Sequence, residues 1–228
     1  MLYYSMYDMY YVMMVIPAVL FGLICQWKVS STFKKYSKVQ TRRRLTGAEA
    51  AAKVCQLGEA RDVRIESVSG KLTDHYDPRG NVIRLSQSVY GESTVAALGV
   101  AAHEAGHAAQ YAQRYAPIRL RSAILPVTQL VSNAIVPLVL ISLFTGFEFM
   151  INILIVVYAV TFLFQLITLP VEFNASRRAL ALLESGGMLD SDEIVGARKV
   201  LSAAAMTYVA AMAVSLMQLL WILARRRR

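Results

Sequence analysis

The residues of this sequence best suited to chemistry are His103, Glu104 and His107, set as His103-Glu104-Ala105-Gly106-His107 within an alanine-rich stretch. On an α-helix, residues four apart share a face, so both imidazoles can reach one metal ion while Glu104 stands beside it. Neutral imidazoles bind zinc and leave a coordination position for water, and a neighbouring carboxylate can take a proton from that water as it attacks a polarised peptide carbonyl. The chemistry offered is metal-assisted hydrolysis. The plain alternative is two ordinary histidines flanking a surface glutamate. Against it stands the economy of the chain, which contains three histidines in all. The third, His75, sits in an unusual run, Thr73-Asp74-His75-Tyr76-Asp77-Pro78.

Two histidines leave a zinc site of this kind one protein ligand short. The metzincin pattern would continue with Gly and His at the positions held here by Gln110 and Gln113, so that class is excluded. A carboxylate from a second helix remains, and Glu172 is the best candidate, with Asp74 and His75 as competitors. Ala175 and Ala179 lie on roughly the same face as Glu172 and are small enough to allow close packing on the motif helix. His75 is also expected at the site, with its role left open; a second electrophile for the developing oxyanion is one such role, for which Tyr76, Arg177 and Arg178 are other possible donors. Otherwise the two arginines are expected to neutralise nearby carboxylates or lipid phosphates.

These residues must be positioned by a chain that is in large part apolar. Its 228 residues are 56% hydrophobic with a mean hydropathy of +0.44, too apolar for an ordinary soluble domain. Residues 9–27, 126–144, 150–169 and 203–224 are each long and apolar enough to span a bilayer. The first lacks a basic region before it and a small-residue cleavage site after it, so it reads as an anchor rather than a signal peptide. The net charge is +9, and Lys28, Lys34, Lys35, Lys38, Arg42, Arg43 and Arg44 cluster directly after that anchor. The bias of basic loops toward the cytoplasm then places the amino terminus outside and the catalytic stretch inside. A juxtamembrane basic cluster serves anionic lipid head groups, so the lipid bilayer and a polypeptide substrate are the expected partners and nucleic acid is not. Arg225 to Arg228 conflict with four full crossings, because they too favour the cytoplasm. The chemical constraint is firmer: His103 and Glu172 must lie on one side, which an even number of crossings between them satisfies. Cys25 and Cys55 have no ligand spacing and read as structural.

Between the spans, Thr46-Gly47-Ala48-Glu49 has the form of a capping box opening a helix that Gly58 ends. Residues 63–68 alternate as a strand, and 72–77 with 81–86 form a hairpin around Pro78-Arg79-Gly80. One helix over 93–115, capped by Ser93 or Glu92, carries the motif. Its charged groups argue against a lipid-facing crossing. Residues 126–169 form a helical hairpin turning at Thr145-Gly146-Phe147-Glu148, and a polar helix runs from there to Gly186-Gly187. The 81–86 strand, directly before the motif helix, is the expected edge for an extended substrate. Asp190-Ser191-Asp192-Glu193 offers caps for the last helix, whose Met206, Met212 and Met217 read as packing.

The His103-Glu104-Ala105-Gly106-His107 motif, Thr73 to Pro78, Arg84-Leu85-Ser86, Val89-Tyr90 and Glu172-Phe173-Asn174-Ala175-Ser176-Arg177-Arg178-Ala179 together resemble the YugP-like bacterial membrane zinc metallopeptidases, and more distantly the HtpX-like and CAAX-prenyl peptidases. The resemblance runs from about Phe33 to the last span. It implies a gluzincin-like endopeptidase of the bacterial plasma membrane, with zinc (Zn2+) on His103, His107 and Glu172 and with Glu104 as base. In the wider group an Asp four residues after the ligand Glu often orients the first His. Ser176 stands there instead, so Asn174, Ser176 or a backbone carbonyl must serve.

The expected fold is mainly α: a multi-pass α-helical membrane protein with a small gluzincin-like α+β catalytic element. Its parts are an anchor (1–28), a cytoplasmic catalytic part (29–125), a transmembrane hairpin (126–169), a cytoplasmic helix with the third ligand (170–202), and an apolar helix with a basic tail (203–228). Two rivals are a non-catalytic scaffold or chaperone with a structural zinc site, and an intramembrane protease. The latter would need an Asp in the central spans, which contain none.

Overall fold

The computed structural model of the chain describes residues 2–145 and 147–226. Gly146, at the centre of the expected membrane turn, lies outside the described residues, as do Arg227 and Arg228 of the basic tail. The chain is mainly helical: α1 (Leu2–Tyr36), α2 (Gly47–Leu57), α3 (Gln87–Tyr90), α4 (Val95–Ala112), α5 (Ala116–Thr145), α6 (Phe147–Ser185) and α7 (Ser191–Arg226), with β1 (Arg64–Val68), β2 (His75–Asp77) and β3 (Val82–Ser86) between α2 and α3. It divides into two compact units.

One unit comprises Met1–Gln26, Leu120–Leu169 and Met206–Arg228. Among the described residues three helical segments are long and apolar enough to cross a membrane: Met9–Tyr36, Met150–Ser185 and Ser191–Arg226. Three of the four expected spans fall within them. The fourth, 126–144, is helical inside α5 and contains Pro126 and Pro137. Large apolar side chains such as Met13, Leu23 and Leu130 point outward, as lipid-facing residues do, while Tyr11 and Trp221 pack edge to face with ring centroids 5.1 Å apart.

The other unit comprises Trp27–Arg119 and Pro170–Ala205. Its α2 begins with a complete capping box: the Glu49 N–H donates to Thr46 Oγ1 at 3.2 Å and the Thr46 N–H to Glu49 Oε2 at 2.8 Å. Helix α4 forms the centre of this unit. Fourteen of its eighteen residues are buried, so it is a core helix enclosed on all sides by protein. Alanine and glycine at these positions let neighbours approach closely: a Cβ on Gly58 would come within 2.8 Å of Ala109 Cβ. Thr94, not Ser93 or Glu92, caps α4, accepting from the Ala97 N–H at 3.2 Å. Ser93 is committed elsewhere, its hydroxyl donating to the Arg44 carbonyl at 3.0 Å.

The sheet order is β1-β3-β2, with β1 parallel and β2 antiparallel to β3. This corrects the expectation that residues 81–86 form an edge. β3 is paired on both sides, and its backbone groups are used within the sheet. The reason is apolar content: Val82, Ile83 and Leu85 are fully buried, whereas β1 and β2 carry Arg64, Glu66, His75 and Asp77 and remain at the rims. Asn81 closes the turn before β3 in a left-handed conformation, φ 46°, which asparagine tolerates. The Tyr76 hydroxyl donates to its Oδ1 at 2.8 Å.

Candidate metal centre

The site is assembled where α4 meets the segment of α6 after Pro170. A Cβ on Gly106 would lie 2.7 Å from the Ala175 carbonyl oxygen, so only glycine allows the two backbones this close. Their proximity brings one ligand atom from each of His103, His107 and Glu172 within 4.8 Å of one another, the one such group among the described residues. His103 Nε2 is 3.2 Å and His107 Nε2 3.6 Å from Glu172 Oε2. Tetrahedral zinc with ligands at roughly 2.0–2.1 Å sets its donors about 3.3 Å apart, so these separations fit a metal of that size.

The far nitrogens of the two rings are also held. His107 Nδ1 is 3.0 Å from Gln110 Oε1, and Gln110 Nε2 donates to the Val171 carbonyl at 2.8 Å and to Asn174 Oδ1 at 2.9 Å. A backbone carbonyl can only accept, so the Gln110 amide has its nitrogen toward α6 and its oxygen toward His107. His107 Nδ1 must then carry the proton, which leaves the Nε2 lone pair aimed at a carboxylate oxygen. Two lone pairs facing one another in a buried site call for a cation between them, and the donor set meets that demand. His103 Nδ1 is 3.1 Å from Ser176 Oγ. Ser176, one of the open choices for that role, is thus the group at the first histidine, and Asn174 serves the second through Gln110.

Glu104 is buried on α4 beside the pair, its Oε2 accepting the Tyr76 N–H at 3.0 Å. Burial pushes its carboxyl above the usual glutamate range; His103 opposes this, while the Glu172 and Asp74 carboxylates add to it. Asp74 turns to the start of α3, where its Oδ1 accepts the Ser86 N–H at 2.8 Å and its hydroxyl at 3.1 Å. His75 is exposed on β2, with its Nδ1–H donating to the Thr73 carbonyl at 2.8 Å, and it is outside the three-donor group. Tyr76, the residue after it, packs inward, its ring 5.6 Å from that of Tyr111. Arg178 bonds to the amides of Asn174 and Gln113, so of the partners expected for it a carboxylate is not the one it takes here.

Gln110 is the site residue that sequence reasoning passed over. By sequence it serves only to exclude another ligand pattern, although a glutamine three residues after His107 and on the buried face of a helix must find partners. That requirement was the available signal.

Comparison with known proteins bears on the whole chain. Residues 11–227 match a family model described as "Putative neutral zinc metallopeptidase". The chain is 44% identical over 212 residues to the "Putative membrane protease YugP" of Bacillus subtilis (strain 168), covering 93% of this chain and 94% of that protein. No solved structure is significantly similar to it. With a family match and a relative that both extend over nearly its full length, the chain belongs to the neutral zinc metallopeptidase family.

Proposed function

We propose that this protein is a membrane-anchored, zinc-dependent endopeptidase of the gluzincin type, cleaving membrane-associated or unfolded polypeptides with Glu104 as general base. The observation that carries the reading is the setting of Glu104: a buried carboxylate on the same helix as two imidazoles whose Nε2 atoms converge on Glu172. Zinc, when bound by His103, His107 and Glu172, supplies Lewis acidity that polarises a peptide carbonyl and acidifies a water. Glu104 takes the proton of that water at its carboxylate and delivers it to the amide nitrogen as the peptide bond breaks.

The outward edge of β2 is the place this reading gives to the substrate backbone. The Tyr76 N–H points away from β3 and toward Glu104, so a strand laid along that edge runs past the base. His75, exposed on the same strand, is assigned the second electrophile. Residues 29–125 and 170–202 form the catalytic part and the remaining segments the membrane part, in the plasma membrane with the site toward the cytoplasm.

The test uses detergent-purified protein with zinc stoichiometry measured beside cleavage of a quenched fluorescent unfolded polypeptide. Glu104→Gln should keep about one zinc and lose about 10²–10⁴ in rate. A zinc-loaded wild type as inert as Glu104→Gln would favour a non-catalytic scaffold. In the same assay His75→Ala should keep zinc and lower kcat by about 10²-fold; an unchanged kcat would remove His75 from the site.

A further inference from the structure

Arg178 lies six residues beyond Glu172 on α6 and has no hydrogen bond to either histidine, yet a chain of hydrogen bonds joins it to His107. Its Nε donates to Asn174 Oδ1 at 2.7 Å, the atom that also accepts from Gln110 Nε2 at 2.9 Å. Gln110 Oε1 is in turn the partner of His107 Nδ1 at 3.0 Å. At its other end the guanidinium donates to Gln113 Oε1, while Gln113 Nε2 donates to the Gly58 carbonyl at 3.3 Å, at the end of α2. Its carbon sits 5.8 Å from the centre of the Tyr115 ring.

The direction of each bond follows from the chemistry of the groups. A guanidinium has five donors and no acceptor and stays charged at any working pH, so whatever meets it must accept. Asn174 therefore presents its oxygen, and the same oxygen is available to the second N–H of Gln110. The first N–H of Gln110 is taken by the fixed Val171 carbonyl. With both amide hydrogens satisfied, the amide oxygen of Gln110 faces His107 and keeps the ring proton on Nδ1, which leaves Nε2 free for the metal. Without Arg178, Asn174 can rotate its own NH2 toward Gln110. One buried N–H of Gln110 then loses its acceptor, and the Val171 carbonyl alone is left to oppose the reversed amide, which would place N–H groups against His107.

We propose that Arg178 is a positioning residue for the metal centre: acting through Asn174 and Gln110, it holds His107 in the tautomer and orientation that bind zinc. This rests on the zinc-site reading above and extends it to a residue outside the ligand set.

The experiment is a double-mutant cycle read as zinc affinity of the detergent-purified full chain, measured by competition with a chromophoric chelator. Arg178→Met should weaken zinc binding by about tenfold, the lower end for loss of a group supporting a metal ligand. Arg178→Lys, which keeps a donor for Asn174, should recover most of it. In a Gln110→Met background, where the path is already cut, Arg178→Met should cost less than a further twofold. Histidine ¹⁵N spectra of the metal-free protein should show His107 as the Nδ1–H form in wild type and a growing Nε2–H fraction in Arg178→Met. Wild-type zinc affinity in Arg178→Met, or an equal loss with and without Gln110, would overturn the proposal. Zinc lost by Glu172→Ala but unchanged in Arg178→Met would leave the site reading standing and this inference alone refuted; no zinc in wild type would refute both.

Discussion

His103 and His107 are the same residue one turn apart on one helix, sharing one carboxylate oxygen, yet their surroundings differ in kind. His107 leans on a glutamine that is fully buried and whose amide nitrogen is bonded to the Val171 carbonyl, a group of fixed polarity, and to Asn174. His103 leans on a serine hydroxyl, a rotor that can donate or accept and so leaves the ring free to choose its tautomer. His103 is also the more open of the two, its side chain 15% exposed against 10% for His107. One half of the site is therefore preset for metal and the other adapts to it. A pair built in this way suits the proposed zinc site, with one side preset and the more accessible side left to adapt.

Removing what the two halves share should have the largest effect. Glu172→Ala deletes the oxygen that both Nε2 atoms face, and the zinc content of protein exposed to limiting metal should fall from about one to near zero. Retention of zinc would move the third ligand to Asp74 or His75. Gly106→Ala tests the approach that brings the halves to Glu172. Its Cβ would meet the Ala175 carbonyl at 2.7 Å, so α4 and α6 must separate, with a loss of about 1–3 kcal/mol in thermal or denaturant unfolding and weakened zinc binding. Wild-type stability and affinity together would show that the contact is not tight in solution.

Breaking the preset half alone comes next. Gln110→Leu keeps similar bulk and removes the fixed acceptor of His107, and zinc affinity should drop about 10–100-fold. Ser176→Ala should cost less than Gln110→Leu, because the hydroxyl imposes no tautomer. Ser176→Asp sharpens the contrast: a carboxylate that only accepts should make His103 as preset as His107 and tighten zinc beyond wild type. If Ser176→Ala proved the more damaging of the two losses, the contrast between the histidines would be reversed.

The parts of this molecule set by short stretches were legible in advance. The capping box at Thr46 and Glu49 needs only residues three apart, and three of the four expected apolar spans, which length and composition alone suggest, fall in helices long and apolar enough to cross a membrane. The strand that looked like an edge was not legible as a central one, since a run of Val82, Ile83 and Leu85 carries no information about how many neighbours it has. The cap of α4 shifted from Ser93 to Thr94 because a distant carbonyl, that of Arg44, claimed the serine hydroxyl. His75, conspicuous by type, lies exposed on β2 with its Nδ1 bonded to Thr73, whereas Gln110, inconspicuous by type, is buried against His107.

What the sequence by itself determined is the half of the site that helix geometry builds: His103, Glu104 and His107 share a face because 3.6 residues make a turn, whatever surrounds them. It also determined that much of the chain is apolar enough for lipid. Only the tertiary structure decided which group, 69 residues away in the chain, meets the imidazoles. That decision rests on the close approach at Gly106 and on a polar network of Gln110, Asn174 and Arg178. Each member of that network is oriented by partners from another helix, so no local pattern could have announced it.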